Sequence, residues 1–157
     1  AIAFSFSVAH AAPLPLSATP KRQALGKGLP EGEKAIYLRL VDAYRRASVQ
    51  DTYKFRDLML RHYNQSIYAD NAIYLTGLLD LQRGRVAEAV ANFGEIVNRF
   101  PRSNKRPAAM YGKSQAYSRL NLHQLSRQLL EQIRKEYPGS PESQRAMIDL
   151  RLMDRKG

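Results

Sequence analysis

The chain holds three imidazoles, His10, His62 and His123, and no two of them stand at a spacing that a metal ion or a proton relay would use. His62, near the end of a helical pattern, reads as a partner for the helix dipole. The 14 Asp and Glu are dispersed, so no carboxylate pair for acid–base hydrolysis is spelled out. Gly26-Lys27-Gly28 lacks the remaining glycine and the Ser or Thr of a phosphate loop, and no strand pattern precedes it. Cysteine is absent, which removes disulfides, thiolate metal sites and a thiol nucleophile from these 157 residues. Asn64-Gln65-Ser66 satisfies a glycosylation sequon, but its place in the chain is that of a helix end. No enzyme, cofactor or metal is expected.

What remains is the chemistry of binding. Lys and Arg number 25 against those 14 acids, a formal charge of +11, and the densest basic stretch is Arg99, Arg102, Lys105 and Arg106 with no acid between them. Such a patch suits lipid phosphate, cell-wall anions or an acidic peptide. Elsewhere basic and acidic residues alternate along most helical segments, a solvated pattern, so nucleic acid is not the expected ligand. The second binding chemistry is aromatic: Tyr37, Tyr74 and Tyr111 stand 37 residues apart. Tyrosine supplies contact area and a polar handle at low entropic cost, which serves peptide recognition. The same rings could instead brace neighbouring elements against one another.

The interval that relates the tyrosines also relates Tyr63, Phe100 and Tyr137, then Ser66, Ser103 and Ser140, then Ala35, Ala72, Ala109 and Ala146. A fixed period of this size marks one supersecondary unit stacked on copies of itself. The units run 30–66, 67–103 and 104–140, followed by a last helix from Pro141. Within the second unit, apolar residues recur at helical spacing in two blocks: Ile73, Gly77 and Leu81, then Val86, Ala89, Val90, Phe93, Ile96 and Val97. Gly84 between them is the turn, so each unit is a helical hairpin. Gly77 and Ala89 are expected to face each other, small residues that let two backbones approach. Pro101 and Pro138 stop the second helices. Ser140 caps the final helix ahead of Pro141, with Ser66 and Ser103 expected to do likewise, while Pro107 blurs the start of its helix. In the first unit Thr52 and Arg56 replace Ala89 and Phe93, and Phe55 must supply the apolar contact. The helix from Pro141 is expected to close the array with a polar back.

Ala1 to Ala11, apolar and then carrying small residues at Ala9 and Ala11, reads as the remnant of a signal peptide, which places the protein in the periplasm. Residues 12–29, with Pro13, Pro15, Pro20, Gly26 and Gly28, read as a flexible linker, and 30–157 as the repeat domain.

Gly77, Gly84, Ala89, Phe93 and Pro101 match the tetratricopeptide repeat pattern, with Ile73 where that repeat often carries Trp. The expected fold is all-α, a solenoid of three hairpins plus a C-terminal capping helix. The longer string from Tyr63-Asn64-Gln65-Ser66-Ile67-Tyr68-Ala69-Asp70-Asn71-Ala72 through Phe100-Pro101-Arg102-Ser103 to Tyr137-Pro138-Gly139-Ser140 resembles the C-terminal repeat domain of the Tol-Pal-associated YbgF family, also called CpoB. That resemblance implies a non-enzymatic periplasmic adaptor that engages TolA and couples cell-wall synthesis to outer-membrane constriction at division. In tetratricopeptide arrays the first helices line a concave face. The resemblance therefore places Tyr37, Val41, Tyr44 and Arg45, then Tyr74, Leu78, Leu81 and Gln82, then Tyr111, Gln115, Ser118 and Arg119 in a groove for a partner segment.

Overall fold

A computed structural model describes residues 32–155. The signal and linker expected over 1–29 lie outside the described residues, as do Pro30, Glu31 and the last two positions. Seven helices account for the rest: α1 Glu33–Arg45, α2 Val49–His62, α3 Ala69–Gln82, α4 Val86–Arg99, α5 Arg106–Arg119, α6 His123–Glu136 and α7 Pro141–Asp154. No strand occurs among the described residues. The chain folds as three antiparallel hairpins, α1–α2, α3–α4 and α5–α6, with α7 stacked on the last.

The hairpin turns share one local solution. Ala47, Gly84 and Asn121 each take a left-handed backbone, with φ of 53°, 72° and 59°, and they too stand 37 residues apart. In the first turn the Ala47 N–H donates to Tyr44 O and the Ser48 N–H to Ala43 O; Gly84 and Arg85, then Asn121 and Leu122, repeat both bonds. This is the Schellman closure of a helix end, which satisfies carbonyls the helix leaves bare. Between units, α4 and α6 end one residue before Phe100-Pro101 and Tyr137-Pro138, as the prolines require.

Serine behaves differently at two of its three sites. Ser140 caps α7, its Oγ accepting from the Ser143 N–H at 3.0 Å. Ser66 and Ser103 do not cap: α3 and α5 begin three residues after them, and each hydroxyl instead accepts from the N–H two residues on, at Tyr68 and Lys105. The chain makes a serine turn before each of these helices. Pro107 sits in the first turn of α5, where its missing N–H costs nothing.

Each core cluster is shared between one hairpin and the first helix of the next. Ile36, Leu40 and Met59 pack with Ala69 and Ala72. Leu130 and Ile133 pack with Ala146 and Leu150. Such sharing is why no unit can bury its apolar face alone. In the middle cluster the expected partner of Gly77 is corrected: a Cβ there would meet the Phe93 ring at 2.9 Å, and it is this ring, not Ala89, that demands the glycine. Gly112 lies on the opposite side, where a Cβ would fall 2.7 Å from Phe93 Cζ. The fully buried ring is thus a wedge held between α3 and α5. In the first unit Phe55 joins the apolar cluster, and Arg56 turns its guanidinium to Glu95 on α4 and to Asp57.

Candidate partner-binding groove

The first helices touch their counterparts, α1 on α3, α3 on α5 and α5 on α7, whereas α2, α4 and α6 do not pack on one another. Longer side chains span the gap between α2 and α4, Arg56 reaching Glu95 and Tyr53 reaching Asn92. Helices crowded on one side and splayed on the other curve the array, so α1, α3, α5 and α7 line its concave side.

Cross-links on this face join each floor to the next. Tyr37 stacks on Tyr68, ring centroids 4.7 Å apart. The Tyr44 hydroxyl accepts from Gln82 Nε2 at 3.2 Å, and Arg119 Nη1 donates to the Leu81 carbonyl at 2.6 Å. Tyr111 donates its hydroxyl proton to Asp149 Oδ2 on α7 at 2.9 Å, and Gln115 donates to the same oxygen at 2.8 Å. Burial first, then this bond to a carboxylate, push the Tyr111 phenol up to about 12. Tyr74 is different. Its ring lies 5.9 Å from Phe93 with Lys105 over it, and among the described residues no hydrogen bond engages its hydroxyl. Burial and the charge of Glu142 raise its pKa, which keeps it a neutral donor.

Of the positions expected to line the groove, Leu81 is buried in the core and presents only its carbonyl. Val41 and Leu78 are half-buried, while Arg45, Gln82 and Arg119 lie exposed along one edge. Two residues that belong to the same rows were missed. Ile148 and Leu152 on α7 stand 37 residues beyond Tyr111 and Gln115, and they are 54% and 49% exposed. The period that reaches Ala146 finds them when the rows of Tyr111 and Gln115 are carried into the fourth unit as well. The polar back expected of the last helix is supplied by Arg151, exposed at the register position where Gly77 and Ser114 are buried, since a guanidinium there bars a further helix from close approach.

The residues of the basic stretch do not converge. Arg99 pairs with Glu95, and Arg106 with Glu136 at 2.6 Å and with the Tyr137 hydroxyl. Lys105 covers the Tyr74 ring. Arg99 and Arg102 alone of the four line a cleft of about 510 Å³, beside Phe100, Pro101 and the 78%-exposed Ile67.

One buried charge was not anticipated. Asp80 is fully enclosed, its carboxylate accepting from the Tyr53 hydroxyl at 2.7 Å, Asn92 Nδ2 at 2.8 Å and Arg85 Nε at 3.0 Å. These bonds tie the first hairpin to the second, as a buried carboxylate requires. Among the described residues no group of three or more His, Asp or Glu is placed to hold a metal, and no helix is long and apolar enough to cross a membrane.

The tetratricopeptide repeat family profile matches residues 71–103 and 108–140, the second and third hairpins with the junctions that follow them. The chain carries tetratricopeptide repeats. The first hairpin, with Leu40, Thr52 and Arg56 at the places of Gly77, Ala89 and Phe93, departs from the repeat where its packing is most restrictive. No curated protein matches the chain in sequence. Tetratricopeptide arrays serve as protein-interaction scaffolds, and the concave face described above has the shape for that work.

Proposed function

We propose that this chain is a non-enzymatic scaffold that holds a segment of a partner protein along its concave face. The observation that carries the reading is the apolar row that ends at Ile148 and Leu152, two exposed aliphatic side chains on the side of the array that already holds Tyr74 and Leu78. Exposed apolar surface in a concavity marks an interaction site. The tyrosines divide the labour: Tyr37 and Tyr111 are committed to neighbouring helices, whereas Tyr74 keeps a free hydroxyl for a partner carbonyl. The proposed setting is the periplasm, with an envelope protein such as a TolA-like partner and a role in Tol-Pal-linked envelope maintenance or division. That part rests on the terminal residues Ala1–Ala11 and on the YbgF/CpoB resemblance.

A photocrosslinking residue placed at Ile148, compared with one at Glu131 on exposed α6, tests the groove in envelope extract. The expected result is a partner captured from position 148 and not from 131, with capture lowered at least tenfold by Tyr74→Ala, the loss of a central aromatic anchor being worth about 2 kcal/mol. Equal capture from both positions would refute the groove. A second reading, binding of an anionic envelope surface, is favoured by the cleft that Arg99 and Arg102 share with Ile67. Salt separates the two, since ion-driven binding falls steeply between about 50 and 200 mM while groove docking does not.

A further inference from the structure

The 37-residue period allows one space to be compared in two successive repeats. Between α3, α4 and α5 it is closed: Phe93 fills it, Leu81 is buried beside the ring, and Gly112 makes room on the far side. Between α5, α6 and α7 the corresponding residues are Leu130, Ser118 and Asp149. A ring has become a smaller side chain, a buried leucine has become a serine, and the glycine has become a carboxylate. The result is a pocket of about 190 Å³ lined by Gln115, Ser118, His123, Ser126, Leu130, Asp149, Leu152 and Met153, of which Gln115 and Leu152 belong to the rows assigned to the concave face.

Size and chemistry limit what fits. Small-molecule sites run to about 300–1,000 Å³, so this pocket has room for one side chain. One wall is apolar, made by Leu130, Leu152 and Met153. The other is polar, made by Ser118, His123, Ser126 and the Asp149 carboxylate, whose Oδ2 accepts from Tyr111 and Gln115 while Oδ1 accepts from no described group. A carboxylate acceptor facing an apolar wall calls for a flat apolar body with a donor at its tip. A lysine or arginine would also donate, but the chain's formal charge of +11 repels cationic partners.

We propose that this pocket receives a donor-bearing aromatic side chain, the phenol of tyrosine or the indole of tryptophan, from the partner segment in the groove. The inference rests on the scaffold reading and specifies the residue such a segment must carry. The ring that the second repeat supplies from its own α4 would here be supplied by the partner.

The probe is p-cresol, titrated into the protein with its leucine and methionine methyls observed by NMR. The expected result is saturable shifts at Leu130, Leu152 and Met153, with toluene and n-butylammonium each binding about tenfold more weakly. Ser118→Leu, which restores the residue found at that register one repeat earlier, should abolish the shifts, and Leu152→Ala at a half-exposed site should weaken them without risk to folding. No saturable shift at those methyls, or butylammonium binding as tightly as p-cresol, overturns the proposal. Peptides selected from a random library on this protein separate it from the broader reading. Selected peptides rich in Tyr or Trp, whose binding is lost with Ser118→Leu, support the pocket. Peptides that lack aromatics and depend on Leu78 but not on Ser118 overturn the pocket and leave the groove standing, whereas peptides indifferent to both Leu78→Asp and Tyr74→Ala overturn the groove as well.

Discussion

Replacing Gly112 by alanine should destabilise the protein, although alanine is the better helix former. The new Cβ would lie 2.7 Å from Phe93 Cζ, 2.8 Å from Cε2 and 3.0 Å from Cε1. The ring cannot retreat, because on its other side a Cβ at Gly77 would already meet it at 2.9 Å, so the backbones of α3 and α5 grip it from both sides. Overpacking of a core costs about 1–3 kcal/mol, and a trapped ring belongs at the upper end. Helix propensity returns about 1 kcal/mol on changing glycine to alanine, leaving a net loss of about 2 kcal/mol. At about 4 °C per kcal/mol for a domain of this size the melting temperature should fall by about 8 °C. The control is Phe93→Leu, which removes the three ring atoms that meet the new methyl. In that background Gly112→Ala should be neutral or stabilising, a coupling of about 2–3 kcal/mol in a double-mutant cycle read by urea denaturation. The protein already shows this combination one repeat later, where Leu130 stands beside Asp149. If Gly112→Ala stabilises the wild-type protein by the full propensity term, the wedge is not load on the backbone and the argument fails.

Two further outcomes follow from local geometry. Ala47 holds the left-handed turn position that Gly84 and Asn121 occupy elsewhere, at a cost of about 1–2 kcal/mol for an L residue; Ala47→Gly should therefore stabilise by about 0.5–1 kcal/mol after the entropy of glycine in the unfolded chain is subtracted, and an unchanged or lower urea midpoint would contradict it. The Tyr111 phenol, at about 12 when folded against 10 when unfolded, stays protonated in the native state after the unfolded chain has begun to ionise. The native state then binds more protons, so its contribution to stability is complete below pH 10 and is lost as pH rises towards 12. Tyr111→Phe should flatten the fall in the denaturation midpoint across that window, and an identical alkaline slope in both proteins would refute the role of the Asp149 bond.

The fold was legible because repetition writes the same constraint several times. A position that is Ala in four units is visible without coordinates, as is the turn at Gly84, and the prolines after Phe100 and Tyr137 mark the unit ends unaided; the matching left-handed turns at Ala47 and Asn121 emerged only from the structure. What was lost lay between units. The match of Gly77 with Ala89 is natural within one hairpin, but the Phe93 ring reaches across to α5, and Gly112 is outside the family pattern. Asp80 looked like one more solvated acid because its partners Tyr53, Arg85 and Asn92 come from two hairpins. In the basic stretch Arg106 is paired with Glu136 from α6, thirty residues on, while Arg99 is paired with Glu95 four residues back on its own helix.

Departures from the repeat carry the rest. Where the pattern holds, as at Gly77, Phe93 and Ala109, side chains are spent on closing the stack. Where it breaks at α7, Arg151 stops the array from growing, while Ile148 and Leu152 stay open towards the concave side. The Leu130 and Asp149 pair breaks it once more and leaves a pocket instead of a packed ring. A helix that served only to cap would need the first of these changes. The other two add exposed apolar surface and an unfilled space at the end of the groove, both of which cost stability in an isolated domain, and a bound segment that covers the one and fills the other would recover it.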